Sequence, residues 1–317
     1  MTQKLDTGPL AFGTMQFGAA ADEAASAAMF DAARAAGITH FDTAWGYADG
    51  RAEQILGRLA APDRDRLFIA TKVAYDGGAG RANILSQFDD CRRRLGMDAV
   101  DLLYIHRADP ATDMAETIDT LSDLQSQGLI RHIGLSNHAA WQVMKAQALA
   151  QSRGTRIAAI QPMLNLVKRQ VEVELLPMAA DQGIKAYTYS PLGGGLLTGK
   201  YLTGDSGRLT TNAHYKVRYG DPRMAEAAAG LVALAAESGI PAATLAVAWV
   251  LHHPMRPVPI LSARSAAQLA PSLAARDMAL SPDLMARLTA LWPAPPPATD
   301  RTEEACHPAQ ASFPNAR

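Results

Sequence analysis

Short apolar runs recur eight times along the chain, at residues 10–15, 40–44, 67–72, 101–106, 132–137, 157–161, 185–190 and 258–262. Their length and composition read as buried strands. Between them, over 21–36, 83–95, 114–127 and 171–182, the apolar positions fall at helical spacing. Several of these helical stretches stop on a glycine that is followed at once by a strand: Gly37, Gly96, Gly128 and Gly183. Glycine enters the left-handed position after a helix at low cost, so the recurrence predicts short helix-to-strand turns. Ser281-Pro282 adds an N-cap with proline in the first turn, and Gly239-Ile240-Pro241 suggests another.

Regular alternation of strand and helix predicts a parallel sheet covered by helices. Eight such units suit a closed (β/α)8 TIM barrel, which typically takes about 250 residues. The excess lies in two places: a long segment between the seventh and eighth strands, whose 193–220 part reads as a loop, and a proline-rich end after Trp292. One domain is expected over residues 1–317, with 293–317 as its tail and no linker. In such a barrel the active site sits at the C-terminal mouth of the strands, where long extensions shape the pocket.

Three strands end in residues able to handle protons: Asp42, Lys72 and His106. Tyr47 lies just beyond the first of them. Taken singly, each has an ordinary structural reading, because strands often end in Asp and a strand-end lysine is usually solvated. On one barrel mouth the four converge. A phenol with a reference pKa of about 10 is a poor base at neutral pH but a usable acid. A lysine ammonium beside it is expected to lower that pKa, with the aspartate behind keeping the amine charged despite burial. A histidine can donate a hydrogen bond to a carbonyl oxygen and orient it. Such a set can protonate an alkoxide as it forms, which carbonyl reduction requires; the hydride must come from a nicotinamide cofactor.

Composition removes several competing classes. Of 317 residues 48% are hydrophobic and 19% charged, ample for one large core. The net charge is −1 and there is no basic block, which argues against nucleic acid or an anionic membrane as partner. No apolar run reaches the length of a membrane span, and the first residues lack a signal-like apolar stretch. Cys91 and Cys306 have no metal-ligand spacing and suggest no disulfide framework, so a cytoplasmic protein is expected. The run from Gly194 to Lys200 has the spacing of a phosphate-binding loop, but Tyr201 follows where Ser or Thr must hold magnesium. His106, His132, His138, His252 and His253 show no metal-ligand spacing, so a zinc hydrolase on the same barrel is not favoured and no metal is expected.

The runs FDTAWGY (41–47), ATKV (70–73), YIHRAD (104–109), GLSN (134–137) and YSPLGGGLLTGKY (189–201) resemble the aldo-keto reductase superfamily, in family order from about residue 10 to residue 291. Within it, NHAAWQV, MLNLVKRQVEVELLP and YSPLGGGLLTGKY are most similar to the aflatoxin aldehyde/succinic semialdehyde reductase branch. The resemblance implies NADPH-dependent reduction of aldehydes or reactive ketones. Tyr47 would be the general acid, Lys72 and Asp42 would tune it, and His106 would orient the carbonyl. Ser136, Asn137 and Gln161 match residues that hold the nicotinamide carboxamide, and Tyr189 matches the ring that stacks on it. Ser190, Leu192 and Gly194 belong to the matching pyrophosphate segment. Ser262, Arg264, Gln268 and Ser272 match the adenosine end, with Arg264 favouring NADPH over NADH through a 2′-phosphate.

Two departures stand out. Ser262 occupies a position where the family commonly has glycine, and Pro271-Ser272 replaces the usual Glu/Gln-Asn pair at adenine. Substrate contacts are expected from Met15, Trp45, Arg107 and Arg218, the last matching an arginine that binds a substrate carboxylate. His307 and Phe313 of the tail are candidates to cover the pocket. The branch also hints at a homodimer. A barrel that binds NADPH but serves as a redox-sensing or regulatory subunit is the alternative, which retention of all four catalytic residue types argues against.

Overall fold

The computed structural model describes residues 5–299. Eight parallel strands close into a barrel in sequence order, β1 pairing with both β2 and β8. They are β1 (Ala11–Gly13), β2 (His40–Asp42), β3 (Phe68–Val73), β4 (Val100–Ile105), β5 (Ile130–Ser136), β6 (Ile157–Gln161), β7 (Lys185–Thr188) and β8 (Val258–Leu261). The helices between them are α1 (Glu23–Ala35), α2 (Arg51–Ala60), α3 (Arg81–Leu95), α4 (Met114–Ser126), α5 (Ala140–Gln151) and α6 (Leu175–Asp181). After β7 come α7 (Arg208–Thr211), α8 (Ala213–Arg218), α9 (Pro222–Ser238) and α10 (Ala242–Leu251), and after β8, α11 (Ala266–Leu273) and α12 (Pro282–Ala290). The TIM-barrel expectation is met.

The local signals account for most boundaries. Gly37, Gly96, Gly128 and Gly183 all carry positive φ, between 61° and 75°, where a side chain would strain the turn. Ser281 accepts from the Leu284 N–H at 3.1 Å with Pro282 behind it. At α10 it is Pro241 itself that stands at the N-cap, two places later than the expected Gly239.

Two stretches differ from expectation. The 193–220 segment is not an open loop: it folds into 3-10 turns at Gly193–Thr198 and Lys200–Thr203, then α7 and α8. Each is no longer than about two turns, too short for a helical period to show in the sequence. The expected helix over 171–182 is divided, a 3-10 turn at Gln170–Glu172 preceding α6. Residues 293–299 carry no regular helix or strand. Cys306, His307 and Phe313 lie outside the described residues.

The core has two shells. Side chains facing the helices form the larger one, for example Phe41 of β2 against Phe30 of α1, ring centroids 4.6 Å apart. Inside the barrel a smaller set closes the lumen: Ala11, Ala70, Leu102, Tyr104, Ala159, Tyr187, Val258 and Ile260. A Cβ on Gly134 would sit 2.4 Å from the Tyr104 ring, so that glycine makes room for one of the two lumen tyrosines. Successive residues of a strand alternate between the two shells. Register places Asp42 of β2 beside Ala70 of β3, and Lys72 of β3 beside Tyr104 of β4. The polar residues at the strand tips therefore share the inward face. No single helix among the described residues is long and apolar enough to cross a membrane.

Candidate active site

Above this lumen layer opens a cleft of about 580 Å³, within the usual range for a small-molecule site. Beneath Asp42 and Tyr47, which line it, Lys72 is fully buried. Its ammonium contacts Asp42 Oδ1 and donates to the Thr43 carbonyl at 2.8 Å. The other oxygen, Asp42 Oδ2, accepts from Gln161 Nε2 at 2.8 Å. A buried charge needs partners of this kind, and here both members of the pair have them. Burial pushes the Asp42 carboxyl up, with Lys72 and Gln161 opposing. Burial also works against the Lys72 ammonium, but Asp42 and then Tyr47 outweigh it and hold the amine above its ordinary value.

Tyr47 is partly buried over this pair, with Lys72 Nζ 5.1 Å from its ring centroid. Its pKa departs from expectation. Burial raises it, Lys72 lowers it as foreseen, and Asp42 raises it further; the net direction is up. The phenol is therefore a held proton at neutral pH. His106 faces it edge-on, ring centroids 6.0 Å apart. Burial, then the Lys72 and Arg107 charges, depress the imidazole to about 3, which leaves it neutral.

The four converging residues thus stand together at the mouth. Nearby backbone is strained: Ala48, Asp49, Ala74, Asn137 and Ser190 all have positive φ without being glycine, and all lie just past strand ends on this side. Such outliers concentrate where a site is held in a fixed geometry.

The residues matched to the nicotinamide form a connected group. Ser136 Oγ donates to the Gln161 carbonyl at 2.9 Å. Asn137 Nδ2 donates to the His106 carbonyl at 2.9 Å, and Asn137 Oδ1 accepts from the Tyr189 hydroxyl at 2.7 Å. From there the cleft runs past Ser190, Leu192 and Gly194 to Ser262, Arg264, Gln268 and Ser272. The Ser262 hydroxyl is buried on that wall with no hydrogen-bond partner. Arg264 is exposed, forms no ion pair among the described residues, and precedes the Ser265 N-cap of α11. Its N–H donates to Gln268 Oε1 at 2.8 Å. Ser272 is buried, and the Pro271 carbonyl is held by Thr244. A long cleft with an aromatic wall at one end, an orphan hydroxyl along it and a cation beside a helix start at the other fits an extended dinucleotide.

Of the expected substrate contacts, Met15 and Arg218 line the cleft. Two do not. Trp45 turns outward: its indole donates to Asp90 Oδ2 at 3.1 Å and lies against the Arg94 guanidinium. Arg107 lies behind the rim rather than in the lining, its guanidinium 4.6 Å from the ring centroid of Tyr75 and 3.8 Å from Asp76, two residues that do line the cleft. Neither lies in a strand: Trp45 sits in the turn after β2 and Arg107 in the loop after β4, so local packing rather than strand register decides where each side chain goes.

Tyr75 and Tyr215 were not singled out from the sequence. Tyr75 meets the His106 ring at 4.9 Å and walls the mouth; Tyr215 carries Arg218 and Arg208 over its ring at 5.2 and 5.3 Å. An aromatic just past a strand tip, the signal that marked Tyr47, applies equally to Tyr75.

The family model for the Aldo/keto reductase family matches residues 9–293. The chain belongs to this family. It is 36% identical to aflatoxin B1 aldehyde reductase member 2 of Rattus norvegicus over 260 residues, 76% of this chain and 71% of the relative. It is 31% identical over 305 residues to the uncharacterized oxidoreductase YrpG of Bacillus subtilis (strain 168), covering 90% and 92% of the two chains. Protein tas of Escherichia coli (strain K12) is 31% identical over 336 residues, covering 92% and 97%. Aldo/keto reductases are nicotinamide-dependent oxidoreductases of aldehydes and ketones, and the branch resemblance read from the motifs agrees with the aflatoxin-reductase relatives.

Proposed function

We propose that this protein reduces aldehydes or reactive ketones to alcohols with NADPH, Tyr47 delivering the proton. The observation that carries the reading is the convergence of Tyr47, a buried Lys72–Asp42 pair and a neutral His106 at one end of a cleft whose other end presents Arg264.

NADPH, when bound, supplies the hydride. Ser136, Asn137, Gln161 and Tyr189 would hold and face its nicotinamide end, and Arg264 its 2′-phosphate. His106, neutral, donates a hydrogen bond to the substrate carbonyl oxygen and fixes its direction. Charge then develops on that oxygen. An alkoxide is a base comparable to hydroxide, whose conjugate acid has a pKa of about 15.7. Even a phenol raised above its ordinary value gives up its proton downhill to such a base, and the Lys72 ammonium stabilises the phenolate that remains. Arg218 is placed to meet an acidic group on the substrate, which makes carboxylate-bearing aldehydes the class to try first.

The test is the loss of NADPH absorbance with a reactive aromatic aldehyde, run beside NADH. Turnover favouring NADPH is expected. Tight NADPH binding without turnover across a panel of aldehydes and ketones would replace this reading with a regulatory barrel.

Two finer outcomes follow. Arg264→Ala is expected to raise the NADPH dissociation constant on the order of tenfold, the scale of one charge-assisted contact, while NADH changes little. An equal effect on both would remove Arg264 from the 2′-phosphate. With His106 held near 3, its charge does not change between pH 5 and 8. The rate of carbonyl reduction should then show no limb near pH 6.5, in either direction; such a limb, absent from His106→Gln, would show that this imidazole titrates during turnover.

A further inference from the structure

The loop carrying Tyr47 is held from outside the barrel by one guanidinium. Arg94, near the end of α3, donates through Nη1 to the Trp45 carbonyl at 2.9 Å. The same guanidinium packs on Gly50, where an added Cβ would come within 2.5 Å of its Nε and Cζ. Trp45 and Gly50 bracket Tyr47, Ala48 and Asp49, so one side chain touches both ends of the segment. Ala48, Asp49 and Gly50 are all left-handed, with φ of 50°, 54° and 87°, a backbone that persists only when its surroundings impose it.

Arg94 is itself anchored. Its Nη1 lies 3.4 Å from Glu53 Oε2, a carboxylate on α2 with no solvent exposure. Glu53 Oε1 accepts from Thr71 Oγ1 at 2.7 Å, and Thr71 precedes Lys72 on β3. The Trp45 N–H closes the circuit by donating to the Lys72 carbonyl at 3.0 Å. One turn before Arg94, Asp90 holds the Trp45 indole. The strand that bears the lysine and the loop that bears the tyrosine are thus tied through Glu53 and Arg94, none of whose atoms line the cleft.

We propose that Arg94, anchored by Glu53, is a positioning residue that sets the Tyr47 hydroxyl relative to Lys72 during carbonyl reduction. This rests on Tyr47 as proton donor. The experiment is a double-mutant cycle in single-turnover NADPH oxidation with 4-nitrobenzaldehyde. Arg94→Met is expected to lower the rate on the order of 10- to 100-fold, the scale of a displacement of about 1 Å at a reacting group. The NADPH dissociation constant, read by fluorescence quenching, should stay within about twofold. In a Tyr47→Phe background the same substitution should leave the residual rate unchanged, which a general loosening of the barrel would not do.

A rate within about threefold of the parent in Arg94→Met, or an equal fold-loss in both backgrounds, would overturn the proposal. If Arg94→Met does not fold, Arg94→Lys carries the test. It keeps the charge beside Glu53, but one ammonium cannot also reach the Trp45 carbonyl and cover Gly50, so a loss of about tenfold is expected and a parental rate overturns the idea. Tyr47→Phe alone at parental rate would sink both this and the catalytic reading. An inactive Tyr47→Phe beside a fully active Arg94→Met would sink only this one.

Discussion

Tyr47→Phe is expected to lose carbonyl reduction on the order of 10²- to 10⁴-fold while keeping NADPH affinity, the range spanned by removing a positioned general acid. The substitution deletes one oxygen and leaves the ring in place against His106 and over Lys72. Nothing along the cleft toward Arg264 is disturbed, so cofactor binding by fluorescence should match the parent. The structure sharpens the expectation, because burial keeps the phenol protonated and the neutral His106 has only its own N–H to offer. Substantial residual rate would mean that His106 or a solvent path delivers the proton. Full activity would dismiss Tyr47 from the chemistry.

The chain's alternation carried the fold, and strand-tip chemistry carried the four central residues. Both depend on local order: eight apolar runs, glycines where helices stop, and polar side chains on inward positions. The reading failed where sequence adjacency was taken for spatial adjacency. Trp45 and Arg107 neighbour site positions in the chain, yet both lie in loops past the strand tips, where Asp90 and Arg94 of α3 hold Trp45 and the rim residues Tyr75 and Asp76 hold Arg107. The direction of the Tyr47 shift was hidden for another reason: burial, joined by the Asp42 charge from β2, outweighs the Lys72 charge from β3, and that balance is set by the fold. The short helices of 193–220 carry too few residues to show a period. Glu53 and Arg94 are 41 positions apart and come together only because α2 and α3 pack side by side. No local pattern marks such a pair.

Lys72→Met should be the most destabilising of the substitutions considered, as well as nearly inactive. Lys72 and Asp42 are both buried, and removing the cation leaves a carboxylate facing only Gln161 Nε2. Breaking such a pair from one side costs roughly 3–5 kcal/mol. The loss should depend on pH with a definite sign. Burial already raises the folded Asp42 carboxyl, and without Lys72 the main opposing influence is gone, so it rises further. A group whose folded pKa lies above its unfolded value, about 3.9 for Asp, contributes stability at low pH and loses it as pH climbs through the folded pKa. Denaturant unfolding of Lys72→Met should therefore show a deficit that is large at pH 8 and shrinks towards pH 5, as Asp42 takes up a proton. Pairing the change with Asp42→Asn removes the stranded charge and should recover much of the stability at pH 8 without restoring turnover. A deficit independent of pH, or unaffected by Asp42→Asn, would mean that lost packing at the floor, rather than an unpaired carboxylate, accounts for the damage. Stability and catalysis separate in this double variant because Asp42 needs Lys72 to remain charged in the folded protein, whereas Tyr47 needs it to leave as phenolate.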